Sequence, residues 1–366
     1  MNPRRYTFYL IILVLLFLIP IIVFNFYIDP ANLFKSSIYE KKIAALLLQN
    51  KNIANIVTYK EKLTQKYIIY ETQNFPEVLA FGSSRMGIID RDFFPNKTFF
   101  NHFVTGNTIE DMLAFYGFYK IKNPNYKPEI IIMGLDAWLL NPQYRQNFLE
   151  TATPLEDGIN KGRELIHLTP LHFNKSNLSK YLELISFDYL KASWQDWKKI
   201  HKKQLKNSYF ITEEKIGEFS IKRSDGSYVY PKKYREMNDT EKQKLMNKYI
   251  SREYLSGYDG FKELDQEQAN IFDSFINYLV NTEHVKLIFY FPPNHNVVYN
   301  ELKNNLSKYK NFFLAEDYFL SIAKKYNIEI IGDYNPEKCG LNETNFYDPS
   351  SHIKIDFIHQ AFKKCS

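Results

Sequence analysis

The sequence contains few of the residues from which several common kinds of site are built. Two cysteines among 366 residues are too few for a cysteine zinc cluster or a disulfide-rich scaffold. Its 13 glycines are about half the usual share of roughly 7%, which excludes collagen, glycine-rich linkers and glycine-rich repeats. No HExxH, Cys-x-x-Cys, Walker or GxGxxG pattern occurs, so we expect no metal and no cofactor. A net charge of +6, spread along the chain, gives no reason to expect nucleic acid as a partner.

Charged residues are also absent from one long stretch near the N-terminus. Residues 6–27 (YTFYLIILVLLFLIPIIVFNFY) carry no charge, and about 20 apolar residues are enough for a helix to cross a bilayer. Arg4 and Arg5 precede the stretch, and the tendency of basic residues to stay inside places the N-terminus in the cytoplasm. The sequence therefore predicts a signal anchor over residues 1–28, a single transmembrane helix in the cytoplasmic (inner) membrane, with an extracytoplasmic, periplasmic body.

Two other interpretations of this stretch fit it less well. A cleaved signal peptide has an apolar region of about 7–15 residues that ends at small residues, whereas this stretch runs into FNFYIDP. A buried core helix is disfavoured because every face of the stretch is apolar. Pro20 is expected to kink the helix without ending it.

The remaining sequence has a globular composition, with 45% hydrophobic and 24% charged residues overall. Helical spacings of apolar residues alternate with short apolar runs that end at Gly, Pro or polar residues. Strand followed by helix, repeated, predicts an α/β fold with a mostly parallel sheet covered on both faces. The chemistry is then expected at the carboxyl ends of the strands. The predicted strands are VLAFG (78–82), TFFNHFV (98–104), EIIIMGLD (129–136), VKLIFYF (285–291) and IEIIGDY (328–334).

Composition and patterning divide the body into three parts. The helical spacing of apolar residues in 29–75 predicts helices close to the membrane. Residues 76–140 and 263–366 hold the strand–helix pattern and form the expected catalytic domain. Residues 141–262 break that pattern, are rich in Lys, Tyr, Trp and Asn, and contain a hairpin-like turn at 224–227. We expect them to be an insertion that serves as a lid or a glycan-binding subdomain.

Two distant segments carry the residue types of a serine nucleophile site. FGSSR (81–85) follows the first predicted strand, and a serine on such a turn can present its hydroxyl to a ligand. FYDPSSHI (346–353) places Asp348 and His352 close together near the C-terminus. A serine needs a base, and the base needs a carboxylate to orient it. We therefore predict Ser84, His352 and Asp348 as the catalytic residues, with Asp333 and Asp356 as alternative carboxylates.

These residues and their order resemble the SGNH (GDSL-like) hydrolase superfamily. Its nucleophilic serine follows the first strand, where Gly82-Ser83-Ser84 stands here with Ser83 in place of an aspartate. Its second block supplies an oxyanion-hole glycine, matched by Gly106, and its last block, Asp-x-x-His, is matched with one extra residue. The resemblance covers residues 78–352 apart from the insertion. It implies a three-layer α/β/α, flavodoxin-like fold with a five-stranded sheet.

The third block departs from the superfamily pattern. Asp136, in Gly134-Leu135-Asp136, stands where the superfamily has an asparagine. An ionised carboxylate accepts hydrogen bonds and cannot donate one to an oxyanion. Either Asp136 is protonated, or it has another role such as substrate binding, or the oxyanion hole relies on Ser84 and Gly106 with Asn107.

The whole outline resembles one branch of the superfamily more closely. The chain is similar to membrane-anchored proteins of cell-envelope acylation, which include DltD-like and AlgJ/AlgX-like proteins. The shared features are an N-terminal span, Tyr-Ile-Asp-Pro (27–30) directly after it, a Gly-Ser-Ser-Arg turn and an Asp/His pair near the C-terminus. The resemblance implies a serine O-acyltransferase or esterase that acts on a cell-envelope polysaccharide, beside a multi-span membrane O-acyltransferase. The alternatives are a non-catalytic glycan-binding or scaffold partner of such an acyltransferase, and a lipid esterase.

Several other residues near the strand ends are candidate contacts. Arg85, Asp136 and His295 are predicted to bind substrate, although Arg85 could instead pair internally and His295 could lie on a surface loop. His102 is expected to be structural or exposed, and His359 to lie on the surface.

The two cysteines flank the segment that contains the catalytic pair. Outside the cytoplasm a bond between Cys339 and Cys365 is chemically permitted. We predict this disulfide, which would hold the Asp348–His352 loop in place; the alternative is two free thiols.

Overall fold

The computed structural model describes residues 3–29, 34, 38–56, 59–145, 152–173, 178–201 and 209–365. The chain divides into two compact units. The first comprises Met1–Tyr39 and Asn174–Tyr209, and the second comprises Glu40–Phe173 and Phe210–Ser366.

The elements are numbered here in chain order. The helices are α1 (Pro3–Ile28), α2 (Ile38–Leu48), α3 (Glu61–Glu71), α4 (Ile109–Lys122), α5 (Glu156–Leu165), α6 (Leu178–Glu183), α7 (Phe187–His201), α8 (Lys232–Arg235), α9 (Asp239–Ile250), α10 (Gln266–Asn277), α11 (Asn296–Asn304), α12 (Leu306–Tyr326) and α13 (Ile358–Ala361). The strands are β1 (Asn52–Ala54), β2 (Val78–Phe81), β3 (Phe99–Asn101), β4 (Ile130–Gly134), β5 (Phe210–Thr212), β6 (Ile221–Lys222), β7 (Tyr228–Val229), β8 (Lys286–Phe291) and β9 (Glu329–Gly332).

A five-stranded parallel sheet forms the centre of the second unit. Its strand order is β3-β2-β4-β8-β9, and each of the five predicted apolar runs contains one of these strands. The α/β class and the parallel sheet are therefore confirmed. The runs are apolar at consecutive positions because both faces of the sheet are covered.

Alternate side chains of each strand enter two different cores. Leu79 and Phe81 of β2 belong to a large core with helices α4, α10 and α12. Val78 and Ala80 face a smaller core closed by the C-terminal segment. Short turns and the four-residue helix α13 cover this second face, where the sequence predicted a helical layer.

A second sheet is antiparallel, with strand order β5-β1-β6-β7. Strands β6 and β7 form the hairpin predicted around residues 224–227, which is confirmed. The Asp225 carbonyl accepts a hydrogen bond from the Asn101 N–H at the end of β3, so the hairpin is joined to the parallel sheet. Strand β1 lies where only helices were predicted. Its three residues acquire strand geometry by pairing with β5 and β6, more than 150 positions later, and no local pattern encodes that pairing.

The first unit contains α1 together with α6 and α7. Within the described residues, Thr7–Ile28 of α1 is the one helix long and apolar enough to span a membrane, with a mean hydropathy of 3.0. The unit boundaries differ from the expected ones, because residues 174–209 of the predicted insertion group with α1 and the rest of the insertion belongs to the second unit. The physical reason is a set of polar and aromatic contacts between α6–α7 and the C-terminal end of α1.

Cys339 and Cys365 form a disulfide, with Cα atoms 4.8 Å apart. The predicted bond is thus confirmed. It closes a loop that contains both Asp348 and His352, and Cys339 is buried in the smaller core.

Candidate active site

Ser84 lies on a tight turn at the carboxyl end of β2. Ser83 caps the single 3-10 turn Ser84–Met86, and its hydroxyl accepts a hydrogen bond from the Arg85 N–H at 3.3 Å. The Met86 side chain packs over two strand ends that lack side chains. A Cβ atom on either Gly82 or Gly134 would lie 2.4 Å from Met86 Cγ, so both positions require glycine for this close approach. The turn therefore holds Ser84 above the edge of the sheet.

Ser84 and His352, 268 positions apart in the chain, form a direct hydrogen bond. Ser84 Oγ lies 2.9 Å from His352 Nε2. On the other side of the ring, His352 Nδ1 lies 2.9 Å from Asp348 Oδ2 and 3.1 Å from Oδ1. With the Nδ1–H directed to the carboxylate, Nε2 is left as the acceptor for the serine proton. The structure thus brings together the three predicted catalytic residues in the order that proton transfer requires.

The local fold brings Asp348 and His352 together despite the longer Asp-x-x-x-His spacing. Phe346 and Ile353 pair as an antiparallel bridge, and the Tyr347 N–H donates to the His352 carbonyl, so the segment turns back on itself. Ser351 adopts a left-handed φ of +67°, which takes up the additional residue. The His352 N–H also donates to Asp348 Oδ1. The alternative carboxylate Asp333 instead pairs with Lys338.

Two tyrosines from the insertion complete the surroundings of the triad. The Tyr234 hydroxyl donates a hydrogen bond to Asp348 Oδ2. The Tyr230 ring lies 5.0 Å from the His352 ring, measured between centroids. Burial raises the pKa of Tyr230 well above its usual value, so this phenol stays neutral. Sequence reasoning missed both residues, because neither lies within 100 positions of the triad or belongs to a motif.

Arg85 and Asp136 form a buried ion pair beside the serine turn. Arg85 Nη1 lies 2.6 Å from Asp136 Oδ1, and Nη2 donates to the carbonyls of Pro292 and Pro293 after β8. Burial raises the pKa of the Asp136 carboxyl, while the Arg85 guanidinium acts in the opposite direction. Each side chain therefore neutralises the other, which is the internal pairing considered for Arg85. Arg85 also lines a cavity beside Ser84, so its predicted contact with substrate stays a prediction, as does that of Asp136.

The predicted oxyanion donors remain available. The N–H groups of Ser84 and Gly106 have no hydrogen-bond partner within the part of the chain that the structure describes. Gly106 has a φ of +65°, and a Cβ there would lie 2.5 Å from the Tyr144 hydroxyl oxygen, so the position suits only glycine. The Asn107 amide is buried, and neither its nitrogen nor its oxygen has a described partner.

Ser84 borders two cavities. The first cavity has a volume of about 270 Å³ and includes the triad histidine and Gly106. The second cavity has a volume of about 290 Å³, and half of its lining residues are aromatic. The first is lined by Ser83, Ser84, Arg85, Thr105, Gly106, Trp138, Tyr144, Tyr249, Ser256, Gly257, Ser350 and His352. The second is lined by Ile56, Tyr59, Glu61, Ser84, Phe103, Thr105, Tyr228 and Tyr230.

The remaining histidines have other positions. His295 was predicted to bind substrate, but it caps helix α11: its Nδ1 accepts from the Val297 N–H, and burial lowers its pKa to about 4. His102 is structural, because its ring bonds both Gln65 and Tyr119 in the core. His359 is exposed and stacks on Phe93.

His295 nevertheless has an indirect connection with the site. Its backbone N–H donates to Ser351 Oγ at 2.8 Å, next to His352 in the chain. It therefore positions the loop of the triad and does not line either cavity beside Ser84. Among the described residues, no group of three or more His, Cys, Asp or Glu side chains is placed to hold a metal ion.

Comparisons of this chain with protein families, curated proteins and solved structures find no match.

Proposed function

We propose that this protein is a membrane-anchored serine O-acyltransferase or esterase of the SGNH type, acting outside the cytoplasm on a cell-envelope polysaccharide. The observation that carries the proposal is the continuous hydrogen-bonded chain from Ser84 through His352 to Asp348. Ser84 and His352 are 268 positions apart in the sequence. Ser84 also borders two cavities.

The geometry supports acyl chemistry in two half-reactions. His352 Nε2 takes the Ser84 proton as Oγ bonds to the acyl carbonyl carbon, and the carbonyl π electrons move to oxygen. Collapse of this tetrahedral intermediate breaks the bond to the leaving group, which takes the proton from His352. A sugar hydroxyl or water then attacks the acyl-enzyme in the same way and restores Ser84.

The oxyanion is best stabilised by backbone groups. Ser84 and Gly106, whose N–H groups have no partner among the described residues, both line the first cavity. Loss of one such donor typically costs about 3–4 kcal/mol in the transition state. Asp136 is not needed as a donor if these two N–H groups form the oxyanion hole, and its carboxylate pairs with Arg85 instead.

The strand order supports the SGNH type. Numbered along the chain, the five parallel strands lie in the order 2-1-3-4-5, which is that of flavodoxin-like sheets. Ser84 follows the first of these strands, and Gly106 lies soon after the second. Both positions are at carboxyl ends, where such sheets bind their ligands.

The paired cavities favour transfer between two substrates. The first cavity adjoins the oxyanion donors and suits the acyl donor. In the second, neutral phenols and the Phe103 ring can pack against a sugar ring and bond its hydroxyl groups. An acyl group delivered by a multi-span membrane O-acyltransferase would then pass through Ser84 to the polysaccharide.

Fluorophosphonate labelling tests the proposal, because only an activated serine reacts with this reagent. We expect the purified chain to be labelled and the Ser84→Ala variant not to be. Ser321→Ala is the matched control, since Ser321 is exposed on α12 and outside both cavities. Unlabelled wild-type protein with a normal circular dichroism spectrum would reject the enzyme hypothesis.

A second candidate function is a non-catalytic glycan-binding or scaffold partner of a membrane O-acyltransferase. It is favoured by Asp136, since a carboxylate engaged by Arg85 offers no side-chain donor to an oxyanion. The same labelling experiment distinguishes the two candidates. Strong labelling that disappears in Ser84→Ala excludes the scaffold role as the sole function.

A further inference from the structure

Helices α6 and α7, here called the helix pair (residues 178–201), expose an unusual amount of apolar surface. Five large apolar side chains are about half or more exposed within 14 positions, and Phe187 reaches 79%. Single exposed apolar residues are normal, whereas a contiguous group marks a surface that contacts another molecule or a membrane. The group consists of Tyr181, Leu182, Ile185, Phe187 and Trp194.

The helix pair is attached to the C-terminal end of the candidate span α1. The Asn25 side chain donates to the Leu184 carbonyl at 2.8 Å, and the Tyr189 hydroxyl donates to Asp29 Oδ1 at 2.7 Å. Asn25 is completely buried by this packing. The pair is therefore fixed beside the last turn of the apolar helix, where a spanning α1 leaves the hydrocarbon.

Helix α7 has three distinct faces. Tyr189 and Ser193 are buried. Phe187, Leu190, Trp194 and Trp197 follow the spacing of one helical stripe, and the two tryptophan rings stack with centroids 4.9 Å apart. Asp188, Lys191, Gln195 and Lys198 form the next stripe and are exposed.

The composition of these faces fits the boundary between lipid headgroups and acyl chains. Tryptophan and tyrosine are enriched at this boundary, and amphipathic helices that lie in it combine an aromatic face with basic residues. Lys198 Nζ lies 5.6 Å from the Trp194 ring, so a basic group adjoins the aromatic stripe.

We propose that the helix pair lies in the outer interface of the membrane that α1 crosses, with its exposed apolar side chains among the lipids. The occupant of this surface is therefore the lipid bilayer. The inference rests on the proposed membrane anchoring of α1 and is independent of the acyl chemistry at Ser84. It gives residues 178–201 a role different from that of a lid or a glycan-binding subdomain.

Tryptophan quenching by lipid tests the proposal with the full-length chain. The sequence has three tryptophans, and Trp138 belongs to the second unit. The chain is reconstituted into phosphatidylglycerol–phosphatidylethanolamine vesicles that contain lipids brominated near the headgroup end of the acyl chain. The Trp138→Phe variant reports on Trp194 and Trp197. A Trp194→Phe/Trp197→Phe variant reports on Trp138 and is the matched control.

We expect at least about twofold stronger fractional quenching in Trp138→Phe than in the control, because interfacial helices insert about 5–10 Å into this region. Vesicle flotation after carbonate washing measures the anchoring of α1 separately. The proposal is overturned if the chain floats but shows no excess quenching and iodide reaches Trp194 and Trp197. A protein partner would then be the remaining occupant of this surface. Failure to float overturns both the anchoring and the inference, while fluorophosphonate labelling of Ser84 still reports on the proposed activity.

Discussion

At the scale of single residues, Tyr234 contacts the carboxylate of the proposed triad from outside the motif. Its hydroxyl donates to Asp348 Oδ2, while Asp348 also accepts from the ring and the backbone of His352. A hydrogen bond to a charged group contributes about 1.5–3 kcal/mol. Tyr234 is therefore a positioning residue that orients Asp348 and has no direct contact with the reacting atoms in the proposed mechanism.

Replacement of Tyr234 by Phe removes this hydrogen bond and keeps the ring. We expect kcat/KM for an activated ester to fall by about 10-fold or more, since about 1.4 kcal/mol corresponds to a factor of ten. Tyr326→Phe is the control, because Tyr326 also donates to a carboxylate, Asp273, on a distant helix. Equal activity of the two variants would show that Tyr234 does not position the triad.

His295 makes the stability of the protein depend on pH. Burial lowers its pKa in the folded chain to about 4, whereas an exposed histidine titrates near 6.5. Between these values the unfolded state binds more protons, so stability rises as the pH increases from 4 to 6.5. Protonation of Nδ1 would also remove the acceptor that caps α11.

The His295→Asn variant keeps a capping oxygen and has no titrating group. Between pH 4 and 6.5 the unfolding free energy of this variant should rise less steeply than that of the wild type. Over this range the wild type should gain at most about 3 kcal/mol more than the variant. Urea unfolding in detergent at several pH values measures the difference. Parallel curves for the two proteins would contradict the assignment of this titration to His295.

At the scale of elements, the sequence predicted the parallel strands and missed the pairing of β1. Val78–Phe81 and Lys286–Phe291 are apolar runs whose burial on both faces leaves a local signal. Asn52–Ala54 is only three residues long and becomes a strand through partners that lie far along the chain. Such pairing depends on the folded sheet and not on local preference.

The candidate site likewise contains residues that the sequence predicts and residues that it does not. Ser84 and His352 could be predicted because each stands in a short motif of recognisable residue types. Tyr230 and Tyr234 could not, because a hairpin inside the insertion brings them to the triad and tyrosine is common throughout this chain. The partner of Arg85 could not be predicted either, because sequence alone does not reveal that Asp136 faces it.

The disulfide closes the loop that carries His352. Cys339 and Cys365 are separated by 26 positions, and closing a loop of that size stabilises a folded chain by about 3 kcal/mol. We expect reduction by dithiothreitol to lower the unfolding free energy by that amount. A Cys339→Ser/Cys365→Ser variant should start at the lower stability and not respond to the reductant. Identical stability of all forms would contradict the prediction.

At the scale of the whole molecule, two independent features support an extracytoplasmic body. Thr7–Ile28 is long and apolar enough to cross a bilayer, and the short segment before it contains Arg4 and Arg5. The second feature is the Cys339–Cys365 disulfide, because disulfides form and persist mainly in oxidising compartments and are rare in the cytoplasm. Both features favour the proposal that the chemistry takes place outside the cytoplasmic membrane.

Protease treatment of spheroplasts tests this orientation. A tag at the C-terminus should be lost when protease is added outside, and a tag at the N-terminus should be retained on a short protected fragment. A cytoplasmic protein serves as the control for membrane integrity. Protection of the C-terminal tag would reverse the proposed topology.

The formation of an acyl group on Ser84 tests the central proposal most directly. The chain is mixed with p-nitrophenyl acetate, quenched rapidly in acid, digested and analysed by mass spectrometry. We predict an acetylated peptide containing Ser84 in the wild type and its loss in His352→Ala, whose fold is checked by circular dichroism. Acetylation of Ser84 at the same rate without His352, or none at Ser84 in the folded wild type, would contradict the proposed mechanism.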